Sequence, residues 1–109
     1  MNTIEDYAQN SLELLAAVIA NWNQMQTSSM DEAGEDAERF ETSFYQWIEQ
    51  VRKWYESLDK KPADLAEALE LPLVVKIAEI LPIALYLNFE TELELMIEGI
   101  ERAVDEKYD

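Results

Sequence analysis

Glu94, Glu98 and Glu101 stand four and three residues apart, the spacing that brings side chains onto one face of a helix. Carboxylates placed in this way can hold a metal ion, or serve as acid and base where burial separates their pKa values. They fall away from the apolar stripe of the same segment, formed by Leu93, Met96, Ile97, Ile100, Ala103 and Val104, so the pattern predicts a solvated face. A di-iron carboxylate site requires Glu-x-x-His pairs on facing helices, and the chain has no histidine. Cysteine is absent too, which excludes disulfides, thiolate metal sites, redox motifs and cysteine nucleophiles. With the commonest metal ligands and the commonest neutral-pH general base both missing, no catalytic residue, metal or cofactor is expected. The chain reads as non-enzymatic.

The remaining chemistry is charge. Asp31, Glu32, Glu35, Asp36, Glu38 and Glu41 are accompanied by Arg39 alone, and a second acidic pole over residues 90–109 holds eight carboxylates against Arg102 and Lys107. The formal charge of −16, from 24 acidic and 8 basic residues, opposes long-range attraction to phosphate backbones and anionic lipid. Neither direct nucleic-acid binding nor a membrane role is expected. The sign favours a basic protein partner, or solubility alone. An alternative is imitation of nucleic acid: a small helical protein with a sequence pI near 4.1 could present carboxylates at phosphate-like intervals to a DNA- or RNA-binding protein.

A third set of residues is apolar. From Met30 the positions 30, 33, 37, 40, 44, 47, 51, 54 and 58 are all apolar, a sustained alternation of three- and four-residue steps. This heptad seam predicts a long helix packed along its length. Its flank is wide, since Tyr45, Ile48 and Tyr55 stand beside Trp47 and Trp54. Such a flank is either core or a contiguous aromatic interface, and these five residues are the expected homodimer or partner interface, with Trp47, Trp54 and Tyr55 as its anchors. The same aromatics lining a pocket for a small apolar ligand is a further alternative.

The elements that must carry these residues are helical. Two glycines and three prolines in 109 residues, with abundant Glu, Leu and Ala, favour an all-α fold, and 49% apolar content suffices for a core. A first helix is predicted from Thr3, with Thr3 and Asp6 as a capping box, to about Met25. A second runs from about Met30 to Leu58 after the capping pair Ser29 and Glu32, with Gly34 weakening its start. Pro62 opens a short helix ending near Leu71, and a further one covers Leu73 to Leu81. Pro82 then leaves either one bent helix from Pro72 to Asn88 or two pieces. Thr91 and Glu94 form a third capping match, so a last, acidic helix is predicted from Glu92 to about Lys107, with Gly99 near its middle.

From Leu71 to Leu87 the chain is strongly apolar, but Pro72, Lys76, Glu79 and Pro82 interrupt it, which argues for a buried helix pair rather than a membrane span. Lys76 and Glu79 are placed to pair at its solvent edge. No basic, cleavable leader is apparent at the N-terminus, and a cytoplasmic location is expected. The expectation is a single domain over residues 1–109: a small helical bundle of four to five helices, with a long N-terminal helical hairpin, a proline-interrupted apolar segment and an acidic C-terminal helix. The expected role is binding another protein, as a homodimer, through the aromatic face.

Overall fold

The computed structural model describes residues 3–27 and 33–99. Five helices and no strand occur among them: α1 (Ile4–Thr27), α2 (Ala33–Glu56), α3 (Leu65–Ala68), α4 (Pro72–Ile80) and α5 (Ile83–Glu98). The protein is all-α, with its two longest helices first. The chain gathers into two compact units, Met1–Ser57 with α1 and α2, and Leu58–Asp109 with α3 to α5. Among the described residues no helix is long and apolar enough to cross a membrane.

In the first unit α1 begins as its sequence predicts. The Thr3 amide donates to Asp6 Oδ2 at 3.0 Å and the Asp6 amide donates to Thr3 Oγ1 at 3.2 Å, a reciprocal capping box that satisfies two backbone donors left open by the helix start. The capping pair Ser29 and Glu32 lies outside the described residues. α1 and α2 pack against one another. Trp22 meets Phe40 with ring centroids 5.4 Å apart, and Asn21 Nδ2 donates to Ser43 Oγ at 3.0 Å. Along α2 the aromatics continue in contact: Phe40 to Phe44 at 5.9 Å, then Phe44 edge-on to Trp47 at 5.6 Å. Leu15 and Val18 of α1 and Phe44, Trp47, Ile48, Val51, Trp54 and Tyr55 of α2 are buried. Three apolar residues in every two turns make an arc broader than a coiled-coil seam.

The second unit is punctuated by proline and by one cap missing from the sequence reading. Asp64 Oδ1 accepts from the Glu67 amide at 2.9 Å, and Glu67 Oε1 accepts from the Ala63 amide at 3.0 Å. These bonds start α3 at Leu65 instead of Pro62. Its last turn tightens into the bonds Glu70 N–H to Glu67 O and Leu71 N–H to Ala68 O, so α3 spans Leu65–Ala68, shorter than the helix expected from Pro62 to Leu71. Leu71 and Leu81, each preceding a proline, are extended with ψ of 142° and 132°. The proline ring clashes with a helical predecessor, so α4 starts at Pro72 and a separate helix starts after Pro82. Of the two arrangements open in the sequence, the structure takes two pieces.

α5 corrects the predicted last helix. It runs unbroken through Thr91, whose hydroxyl donates to the Leu87 carbonyl at 3.0 Å, one turn back, instead of capping a new start. Gly99 ends it with φ of +76°, and its amide donates to carbonyls of the last turn. The glycine is therefore a left-handed C-terminal cap, not an interior weak point. α3 packs on α5, and Ala68, Leu73, Val74, Ile77, Leu81, Leu85, Phe89, Leu93 and Met96 are buried.

Candidate functional site

The five aromatic-flank residues are not an open surface. Trp47 is 0% exposed, and Ile48, Trp54 and Tyr55 are also buried, because positions 47, 48, 51, 54 and 55 share the inner arc of α2. Tyr45 alone points outward, at 46%, with its ring edge-on to Phe44 at 5.3 Å. A dimer contact through the other four would require the chain to uncover them.

The acidic residues divide differently. Asp31, Glu32 and Glu101 lie outside the described residues. Glu35, Glu38 and Glu41 on α2 are exposed, as are Glu94 and Glu98 on α5. Asp36 departs from the expected acidic surface. It is buried, and its Oδ1 accepts from Arg39 Nη1 at 2.8 Å, one turn along, while its Oδ2 is buried with no hydrogen-bond partner among the described residues. Among the described residues no group of three carboxylates is placed to hold a metal ion.

A cleft of about 490 Å³ runs between α1 and α2, lined by Asn21, Glu38, Arg39, Thr42, Ser43, Gln46 and their neighbours. No aromatic side chain lines it, unlike the aromatic pocket expected for an apolar ligand. Ser43 Oγ both accepts from Asn21 and donates to the Phe40 carbonyl at 2.9 Å, so the hydroxyl is committed to joining and tying helices. No base stands behind it in these bonds, and a nucleophile needs one.

The most unusual surface is on α5, whose first residues belong to the apolar stretch expected to form a buried helix pair. Ile83 is 92% exposed and Leu87 70%, while Ile80 and Val75 on α4 are about half exposed. Lys76 and Glu79 are exposed as well, without the expected ion pair between them. The reason lies in the distribution of apolar residues around α5. Leu85, Phe89, Leu93 and Met96 already fill one face, and Ile83 and Leu87 lie on the other. A helix apolar on two sides has one side left over. The leftover stripe continues at helical steps into Glu90, Glu94 and Glu98.

Tyr86 lies beside this stripe. Burial pushes its phenol above the ordinary 10.0, and the Glu90 carboxylate adds to the shift by its charge and by accepting the phenolic hydrogen bond. The sequence signal for the stripe was present in the four-residue step from Ile83 to Leu87, but a continuous apolar run masks which of its members face outward.

Comparison with protein-family models, with curated proteins and with solved structures yields no match to this chain.

Proposed function

We propose that this protein works by binding another protein through the exposed apolar side of α5, rather than by catalysis. The observation that supports the reading is the exposure of Ile83 at 92% and Leu87 at 70% on a helix whose opposite face is buried. Full burial of an Ile or Leu side chain is worth about 1.5–3 kcal/mol, so a partner that covers both gains a substantial driving force. Single exposed apolar residues are ordinary on protein surfaces. Here two large ones stand one turn apart, forming a ridge of the kind that enters a groove on a partner. The acidic residues keep such a surface soluble and act against anionic partners. Interaction was the role expected from the sequence; the surface now favoured for it is α5, because the aromatic arc of α2 is occupied by burial.

The test is affinity capture with the wild-type chain and with an Ile83→Glu/Leu87→Glu variant, both checked for helicity by circular dichroism. Supporting the reading would be a protein retained by the wild type, lost by the variant, and able to re-form the complex from purified components. Identical captured sets, or a partner equally bound by the variant, would remove this surface from the function. Light scattering belongs beside it. A dimer that the variant converts to monomer would identify the partner as a second copy.

A further inference from the structure

Resting on the reading of α5 as a binding surface, we infer that its occupant is a cationic amphipathic helix of another protein. The argument begins with the order of residues along the exposed stripe. Ile83 and Leu87 come first, and the half-buried Glu90, which accepts from Tyr86, and the exposed Glu94 and Glu98 follow at steps of three and four. The stripe is thus apolar at its N-terminal end and acidic at its C-terminal end, over roughly 22 Å at 1.5 Å rise per residue. A helix with an apolar face and flanking Lys or Arg matches both halves: its apolar residues cover Ile83 and Leu87 while its cations meet the carboxylates.

A second observation points the same way. Glu94 and Glu98 occupy the C-terminal end of α5, where the aligned peptide dipoles already leave partial negative charge. No basic residue stands in the last turn of α5 to offset them. Within α4 and α5 the only cation is Lys76. Acids at the wrong end of a helix weaken it, and violations of this kind gather at functional sites. A cationic partner would relieve the accumulated charge.

The same charge argues against other occupants. A second copy would bring another −16 to an acidic patch, and anionic lipid or nucleic acid would be repelled before contact. Helix-in-groove recognition, in which anchors at i and i+4 engage apolar surface, needs no deep cavity on this side because α5 supplies the ridge.

The probe is a fluorescently labelled Leu–Lys amphipathic peptide of about 18 residues, long enough to hold a helix, compared by anisotropy with a scrambled peptide of the same composition. The wild-type protein is expected to prefer the amphipathic peptide by about tenfold or more. Ile83→Glu/Leu87→Glu should abolish that preference. Glu94→Gln/Glu98→Gln should weaken binding several-fold at low salt and flatten its salt dependence. Equal binding of both peptides would reveal nonspecific charge attraction and overturn the inference. So would a preference that survives in the Ile83/Leu87 variant. If the cationic peptide shows no preference but a captured partner or a dimer is still lost in that variant, the binding surface stands and the cationic class of partner falls. Failure of both assays removes the surface itself.

Discussion

Ile83 and Glu92 lie nine residues apart on α5, which at 100° per residue sets them on opposite faces of the helix. Their exposures are reversed from what their chemistry prefers: Ile83 is 92% exposed and Glu92 only 2%. A buried carboxylate demands interactions to offset its lost hydration, and an exposed isoleucine forfeits the burial that stabilises most of its kind. The exposed isoleucine is the member of this pair that burial does not explain, which is the kind of exception that gathers at functional sites.

The first prediction separates the two faces of α5. Ile83→Glu should leave stability within about 0.5 kcal/mol of wild type, as exposed substitutions usually do. Phe89→Ala, on the buried face, should cost about 3–5 kcal/mol. Denaturant unfolding of the two variants measures both. A large loss from Ile83→Glu would mean that the side chain is covered in the folded protein.

Gly99 provides a prediction whose sign is decisive. At φ of +76° an alanine is strained, so Gly99→Ala should destabilise by about 1 kcal/mol, and Gly99→Asn by less. Among the described residues, no atom beyond the glycine's chain neighbours stands within 4 Å of where a Cβ would sit, so the cost is conformational and not a clash. Were Gly99 inside a continuing helix, the same alanine would stabilise by about 1 kcal/mol. Thermal melts of the two variants distinguish these cases.

That contrast shows where the sequence was legible. Thr3 with Asp6 could be read because nothing competes with a cap at that helix start. The seam through Phe40, Phe44, Trp47, Val51 and Trp54 could be read because its period persists for several turns. Thr91 with Glu94 has the same capping pattern as Thr3 with Asp6, yet Thr91 sits in mid-helix. The difference comes from the apolar stripe Leu85, Phe89, Leu93 and Met96, which continues past Thr91 at steps of four and three and outweighs a local cap. The same logic hid Asp64 and Glu67, a capping pair placed too close to Pro62 to stand out. The exposed pair Ile83 and Leu87 was illegible for another reason. Within an apolar run, the period alone does not say which face the rest of the unit will cover, because tertiary packing makes that choice.

Ser11 is the next test. It is buried on α1 at 0% exposure, and its Oγ has no hydrogen-bond partner among the described residues. An unsatisfied buried hydroxyl costs about 1–3 kcal/mol, and serine is a poorer helix former than alanine. Ser11→Ala should therefore stabilise the protein, by about 1 kcal/mol after the small loss of packing volume. A lower unfolding midpoint in denaturant would show that the hydroxyl has a compensating partner.

Asn21 and Ser43 join α1 to α2 through one half-buried hydrogen bond of 3.0 Å. A double-mutant cycle with Asn21→Ala and Ser43→Ala should give a coupling of about 0.5–1.5 kcal/mol, the net value of such a bond. Strict additivity of the two losses would mean that the bond contributes nothing. The Ser43→Ala single variant should cost slightly less than a full unpaired donor, since Asn21 is partly exposed and can turn to water.

Tyr86 predicts the alkaline behaviour of the second unit. Its phenol is held above 10.0 first by burial, then by the Glu90 charge and the hydrogen bond to that carboxylate. Below the unfolded-state value both states keep the proton, and the stabilising contribution is fully present. As the pH rises through 10.0 the unfolded chain releases its proton while the folded phenol retains it. The native state then binds more protons than the unfolded state, so stability falls with rising pH until the folded phenol ionises too. Tyr86→Phe should remove this part of the alkaline loss, seen as a shallower decline in denaturant midpoint above about pH 9. Glu90→Gln, which deletes the charge but leaves burial, should lower the phenol only part of the way. Ultraviolet titration of phenolate absorbance, compared between the wild type and Tyr86→Phe, follows the residue directly. An alkaline limb identical in wild type and Tyr86→Phe would show that the shift has no consequence for folding.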